Sequence, residues 1–180
     1  KLLERDGMVA SVFDEQGKAI PLHEESVSED ETLLSMTAGP FTANPHIPPF
    51  REQLTGWCVY HDFHVHPDAV VRQPAVARVE KRVDPDGQNL IPVLHTLYTG
   101  DREFRKDTDL AMRAAFGDDY DELVFPPAAD QRIQLLVRWK TLRRGQSAAD
   151  LSDGTLRFLF LLTVLASPSP PPLIAIDDPE

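Results

Sequence analysis

LSDGTLRFLFLLTVLASPSPPPLIAIDDPE, residues 151–180, falls into four consecutive parts. A polar turn containing glycine, Leu151-Ser152-Asp153-Gly154-Thr155, comes first. A stretch with almost no polar residues, Leu156 to Ala166, follows, and then a proline-rich break from Ser167 to Pro172. The last part is an apolar tetrad, Leu173-Ile174-Ala175-Ile176, running into Asp177-Asp178-Pro179-Glu180. The second part predicts a helix, and a helix that is apolar nearly all round must be buried on most sides. Its N-terminus presents unpaired N–H groups and the positive end of the helix dipole, an arrangement suited to a phosphate. Ser152 and Thr155 add hydroxyls there, and Gly154 allows a close approach to the backbone. The tetrad predicts a strand at the centre of a parallel sheet, covered on both faces. Carboxylates at the C-terminal end of such a strand stand where α/β sheets place their sites. An acidic pair there can hold Mg²⁺, usually through water, and can orient an attacking water.

Each of these features also has a plainer reading. Ser152 or Asp153 caps a helix whether or not a ligand is present. Asp177-Asp178-Pro179 also suits a turn that ends a strand. The order and spacing of the four parts together favour the ligand-binding reading.

Upstream, two alternating stretches predict strands, Trp57 to Val65 and Arg132 to Lys140. Trp57 and Trp139 read as core residues. Residues 8–22 predict a β-hairpin, with Met8–Phe13 and Ala19–Leu22 joined by the turn Asp14-Glu15-Gln16-Gly17. The acidic run from Glu24 to Glu31 reads as solvated loop leading to a short helix near Thr32–Met36. Residues 37–49 hold four prolines and one glycine and read as extended loop, with a helical turn at Phe50–Leu54. Residues 66–88 and Arg143 to Asp150 read as loops. Leu90 to Tyr98 predicts a helix with Leu90, Val93, Leu94 and Leu97 on one face. Asp101 to Phe116 predicts another, with Phe104, Leu110, Met112 and Phe116 partly inward.

The 180 residues suit one domain or a lobe of a larger one, and 42% hydrophobic residues suffice for a core. The net charge of −11 argues against broad contact with a phosphate backbone, which needs Lys and Arg clusters. Arg143-Arg144 is a small basic pair, and it reads as solvated rather than as a DNA contact. A single cysteine, Cys58, excludes an internal disulfide and any multi-cysteine zinc site, which fits a cytoplasmic protein. No apolar run is long enough to span a bilayer. His61, His64 and His66 form H-x-x-H-x-H. On a strand, His61 and His64 point to opposite faces and no third ligand is evident, so the expectation is no zinc and a surface or sheet-edge role.

With these residues in view, the chain resembles the ABC-type ATPases of the RecF/SMC/OLD group, including the RecF-like "AAA family ATPases". LSDGT with its helix matches the nucleotide-sandwiching signature, and LIAIDD matches the Walker B strand. Asp86-Gly87-Gln88-Asn89-Leu90 is similar to the DG-x-NL element of the RecF-like members. The resemblance implies an α/β fold, a partial P-loop NTPase of the ABC-ATPase head type with β-strands, a helical lobe, a signature helix and a Walker B strand. Residues 1–150 would be the hairpin, strand and helical-lobe part, and residues 151–180 the signature, its helix and the Walker B strand. It implies that Ser152, Asp153, Gly154 and Thr155 meet ATP bound to the opposite subunit. Asp177 would then be the magnesium-side acid, acting through water, and Asp178 the catalytic acid. Glu180 would begin the following loop.

The family's catalytic acid is usually Glu, and Asp178 is one methylene shorter, so slow turnover is implied. No G-x-x-x-x-G-K-[ST] occurs in the chain. The chain begins at Lys1 without a methionine and stops just after the strand, so it reads as a segment whose P-loop part lies upstream and whose D-loop part lies downstream. The expected activity is Mg²⁺-dependent ATP hydrolysis by the full-length protein and none by this segment alone. The expected assembly is a homodimer through ATP-sandwiched heads, serving DNA repair, recombination or anti-phage defence, with DNA or a nuclease or other effector met by regions outside the chain. The competing reading is an ATPase remnant acting as a protein-interaction module.

Overall fold

The computed structural model describes residues 1–23, 27–37 and 42–177. The chain divides into two compact units, Lys1–Trp57 and a second from Cys58 onward. In the first, β1 (Leu3–Asp6), β2 (Val9–Phe13) and β3 (Ala19–Pro21) form an antiparallel sheet in that order. The expected hairpin is β2–β3. The Asp14 carboxylate accepts from the backbone N–H groups of Gln16 and Lys18, and Gly17 takes a left-handed φ of 79°. β1 is an addition, too short to announce itself by alternation. Arg5 on β1 donates to the carbonyls of Ser28 and Glu31 and so fastens the described part of the acidic run.

α1 (Leu33–Thr37) lies where a short helix was expected. α2 (Ile47–Thr55) starts earlier than the prolines suggested. Pro48 and Pro49 fall in its first turn, where a missing N–H costs nothing, so they start a helix rather than forbid one. A small core gathers Ala10, Val27 and Leu33. Trp57 is 46% exposed and is not a core residue.

The second unit is built around three helices. α3 (Leu90–Gly100) buries Leu90, Val93, Leu94 and Leu97 on the face its spacing indicated. α4 (Arg102–Phe116) is capped by Asp101, whose carboxylate accepts from the N–H groups of Glu103 and Phe104. Phe104 and Met112 are buried as expected, but Leu110 is 64% exposed and lies off the inward stripe. α5 (Asp153–Leu165) buries Leu156, Leu159, Phe160 and Val164. It packs against both α3 and α4.

Short strands flank these helices. β6 (Tyr120–Val124), β8 (Leu136–Trp139) and β9 (Gln146–Ser147) form one antiparallel sheet, and β5 (Ala75–Val76) pairs with β7 (Arg132–Ile133). The expected strand from Arg132 to Lys140 is therefore two strands. Ile133 pairs with Ala75 while Leu136 pairs with Val124, so the chain changes partners between them. β4 (Cys58–Tyr60) is shorter than the expected Trp57–Val65, because Asp62 adopts a left-handed φ of 57° that ends the extended run. β10 (Ile174–Ile176) runs parallel to β4, with Ile174 opposite Cys58 and Ile176 opposite Tyr60. The parallel direction is as expected. Among the described residues β4 is its one strand neighbour, and β10 is half-buried rather than covered on both faces.

One polar contact ties α3, α4 and β6 together. The hydroxyls of Tyr98 and Tyr120 each lie 2.7 Å from the same Asp109 oxygen, and Tyr98 also accepts from Leu123 N–H. Burial first, and the bond to Asp109 second, push both phenols above the ordinary tyrosine range. Asp109→Ala strands two donors and is expected to cost about 1–3 kcal/mol per hydroxyl. Asp109→Asn keeps an acceptor and should cost less. Urea denaturation of the two variants checks the order.

Candidate functional site

The turn before α5 is held from beneath by a residue that spacing did not single out. Arg72 sits at the end of a single 3-10 turn, Val70–Arg72, and its side chain is 6% exposed. Its Nε donates to the carbonyl of Val65 at 2.7 Å. Nη1 lies 3.1, 3.2 and 2.7 Å from the carbonyls of Ala148, Ala149 and Leu151. Nη2 donates to the carboxylate of Asp153. Burying a guanidinium is costly, and these acceptors together offset that cost. The arrangement fixes the backbone from Ala148 to Asp153 on one cation. It also turns the Asp153 carboxylate onto Arg72, although that side chain remains 67% exposed.

Ser152 is the N-cap of α5. Its Oγ accepts from Thr155 N–H at 3.1 Å and shares a hydrogen bond with Thr155 Oγ1 at 2.8 Å. A Cβ placed on Gly154 would meet only Ser152 Oγ, at 3.9 Å, so the space over the turn is open.

The second part of the site lies at the C-terminal ends of the parallel pair. Asp177 N–H donates to Tyr60 O at 3.0 Å, which places Asp177 beside the residues that follow β4. A cleft of about 240 Å³ opens there, and Asp177, His61, Asp62, His64, Arg157 and Phe160 are among its lining. Parallel α/β sheets bind ligands in this location. Asp177 is exposed, and Arg157 makes no ion pair among the described residues. Asp178 and Glu180 lie outside the described residues, as do Glu24 and Glu25 of the acidic run.

Among the described residues no three His, Cys, Asp or Glu side chains group as a metal cage. One open carboxylate at a strand end does fit Mg²⁺, which is commonly held by one or two carboxylates with waters and phosphates completing its shell. His61 and Asp62 pair at 2.8 Å, while the rings of His64 and His66 are 6.0 Å apart. These histidines lie beyond the end of β4, so a strand-face argument does not apply to them.

Two contacts join the cleft to α5 and to the loop that carries Arg72. Phe63 stacks on Phe160 of α5 at 4.3 Å. Gln88 donates to His64 O and accepts from Val71 N–H, which ties the cleft loop to the Arg72 turn. In the Asp86–Leu90 stretch, Gly87 has a φ of 68°, and a Cβ there would sit 2.3 Å from the Phe63 ring. Asn89 accepts from Asp84 N–H and donates to Glu80 and to Arg82 O. This stretch is therefore a packing knot under the cleft loop.

The family model described as "AAA domain, putative AbiEii toxin, Type IV TA system" matches residues 74–180, more than half of the chain. The chain belongs to this AAA-domain family. It is thus an ATPase-type, nucleotide-binding domain of the P-loop NTPase superfamily. No curated protein and no solved structure matches it. The AAA-domain match takes in α3, α4, α5 and β10, and so the Ser152 turn and Asp177. It starts after Arg72 and the cleft loop. No helix among the described residues of the AAA domain is long and apolar enough to cross a membrane.

The hydrogen bond from His61, and then its charge and that of His64, hold the Asp62 carboxyl below the ordinary aspartate range. The sign follows from linkage. A depressed carboxylate favours the folded state above the pH at which an unfolded aspartate titrates, and that contribution is lost as pH falls through the lower folded value. Carboxyl NMR titration should place the Asp62 midpoint below those of unpaired aspartates in the chain. In His61→Gln the midpoint should rise toward them, and an unmoved midpoint would remove His61 as the cause.

Proposed function

We propose that this chain is the signature and Walker B part of an ABC-type ATPase head of the RecF/SMC/OLD kind, in which ATP is sandwiched between two copies. The observation that carries the reading is the parallel β10–β4 pair. It delivers Asp177 to a cleft at the strand ends, while α5 offers an open, serine-capped N-terminus from the same unit. An acid at the end of a parallel strand and a helix N-terminus are the two halves that such an interface needs.

In this reading Asp177 holds water on the magnesium side, and Asp178 orients the attacking water and takes its proton. Mg²⁺, when bound, neutralises charge that develops on the phosphates. Ser152 and the N–H groups of Asp153 and Gly154 meet the γ-phosphate of a nucleotide on the opposite copy, with Thr155 bonded to the Ser152 hydroxyl behind them. Arg157 supplies a cation to the cleft. The phosphate-cradling lysine loop is not within these 180 residues, so the segment alone is expected not to turn over ATP. Asp178 is shorter than glutamate, and turnover by the full-length protein is expected to be slow.

Nucleotide then controls a dimer, in a reducing cytoplasm that suits the buried free thiol of Cys58. The work done concerns DNA repair, recombination or defence against foreign DNA, with DNA or an effector nuclease engaged by other parts of the protein. The matched family's description, which refers to a toxin of a toxin–antitoxin system, favours the defence setting.

In the full-length protein, Asp178→Asn should leave ATP binding intact, abolish turnover and accumulate an ATP-dependent dimer. Size-exclusion chromatography with ATP and a phosphate-release assay read both effects. Turnover equal to wild type would overturn the assignment and leave the interaction module as the better account.

A further inference from the structure

We infer that Arg72 is a positioning residue for the composite nucleotide site, setting the signature turn of its own copy for the nucleotide held by the other; this rests on the ATPase reading above. Arg72 touches none of the reacting atoms in that reading. It acts through Ser152, whose neighbours on both sides it holds, Leu151 by its carbonyl and Asp153 by its carboxylate. A guanidinium has five N–H donors in a planar fork, and here they meet four carbonyls and one carboxylate. A lysine has three donors on a single nitrogen and cannot span the same set.

The placement of Arg72 gives it a second partner. Val65, which accepts from Arg72 Nε, ends the loop that lines the Asp177 cleft. The same loop is fixed to α5 by the Phe63–Phe160 stack and to the Arg72 turn by Gln88. One buried cation therefore joins the loop of one half-site to the turn of the other. A small tilt of that turn moves the Ser152 hydroxyl relative to the partner's phosphate, and misplacement by about 1 Å can cost about a hundredfold in rate.

The experiment uses the full-length protein and three single variants, Arg72→Lys, Ser152→Ala and Asp177→Asn. Arg72→Lys should bind fluorescent ATP like wild type, keep its melting temperature within a few degrees, and lose about tenfold or more in kcat. The decisive readout is mixing. Each dimer has two sites, and each site takes Asp177 from one copy and the signature turn from the other. Arg72→Lys mixed with Asp177→Asn should therefore restore turnover well above either variant alone, to about a quarter of wild type if copies pair at random. Ser152→Ala mixed with Asp177→Asn should do the same.

If the Ser152 mixture recovers and the Arg72 mixture does not, Arg72 serves its own copy's cleft or only the fold, and the inference falls while the ATPase reading stands. If neither recovers, the composite site itself is wrong and both fall. Full activity of Arg72→Lys alone would also overturn the role. Should Arg72→Lys fail to fold, Asp153→Asn takes its place in the mixture, since it leaves every carbonyl contact of Arg72 in place.

Discussion

The burial of α5 is the constraint on which the rest of the second unit depends. Leu156, Leu159, Phe160 and Val164 are sealed against α3, α4 and the cleft loop, and Phe116 meets Phe158 edge to face. Burying such side chains is worth roughly 1.5–3 kcal/mol each, against about 0.5–1.5 kcal/mol net for an ordinary neutral hydrogen bond. Both halves of the proposed chemistry inherit their positions from this helix. Its N-terminus carries Ser152, its middle supports Phe63 and hence the cleft, and its C-terminus feeds the chain into β10. A helix held only by its polar ends could not place all three at once.

Polar contacts do a different job here, which is to choose among arrangements that the apolar core would tolerate. Arg72 selects one shape for the segment from Ala148 to Asp153, and Asn89 selects one for residues 80–84. Asp109 selects one seating for β6 on α3 and α4. Each works by gathering several partners on one group. A surface ion pair such as Arg138–Glu122 adds little by comparison.

How much of this was legible depended on whether a residue's role repeats along the chain. α3, α4 and α5 could be read because apolar spacing and a capping Asp101 or Ser152 mark them in one dimension. The Ser152 turn and the strand before Asp177 were legible for the same reason. β6 was not, because Asp121 and Glu122 interrupt its apolar alternation and Tyr120 declares itself only through Asp109. The true end of β4 hangs on the left-handed Asp62, which no pattern announces. Arg72 was invisible, since one arginine in a proline-rich loop has no periodicity and three of its acceptors are backbone carbonyls more than seventy residues away in the chain. Trp57 and Leu110 misled because a large apolar side chain on an alternating or helical stretch need not face inward.

The pairing of β4 with β10 also has a consequence in time. Cys58 cannot find Ile174 until everything between them has been made, and pairings of such long sequence separation form late because the intervening loop must close first. α3 and α4, which are neighbours in sequence, can form beforehand. The cleft beside Asp177 is therefore among the last features of the second unit to form, after the helices that support it.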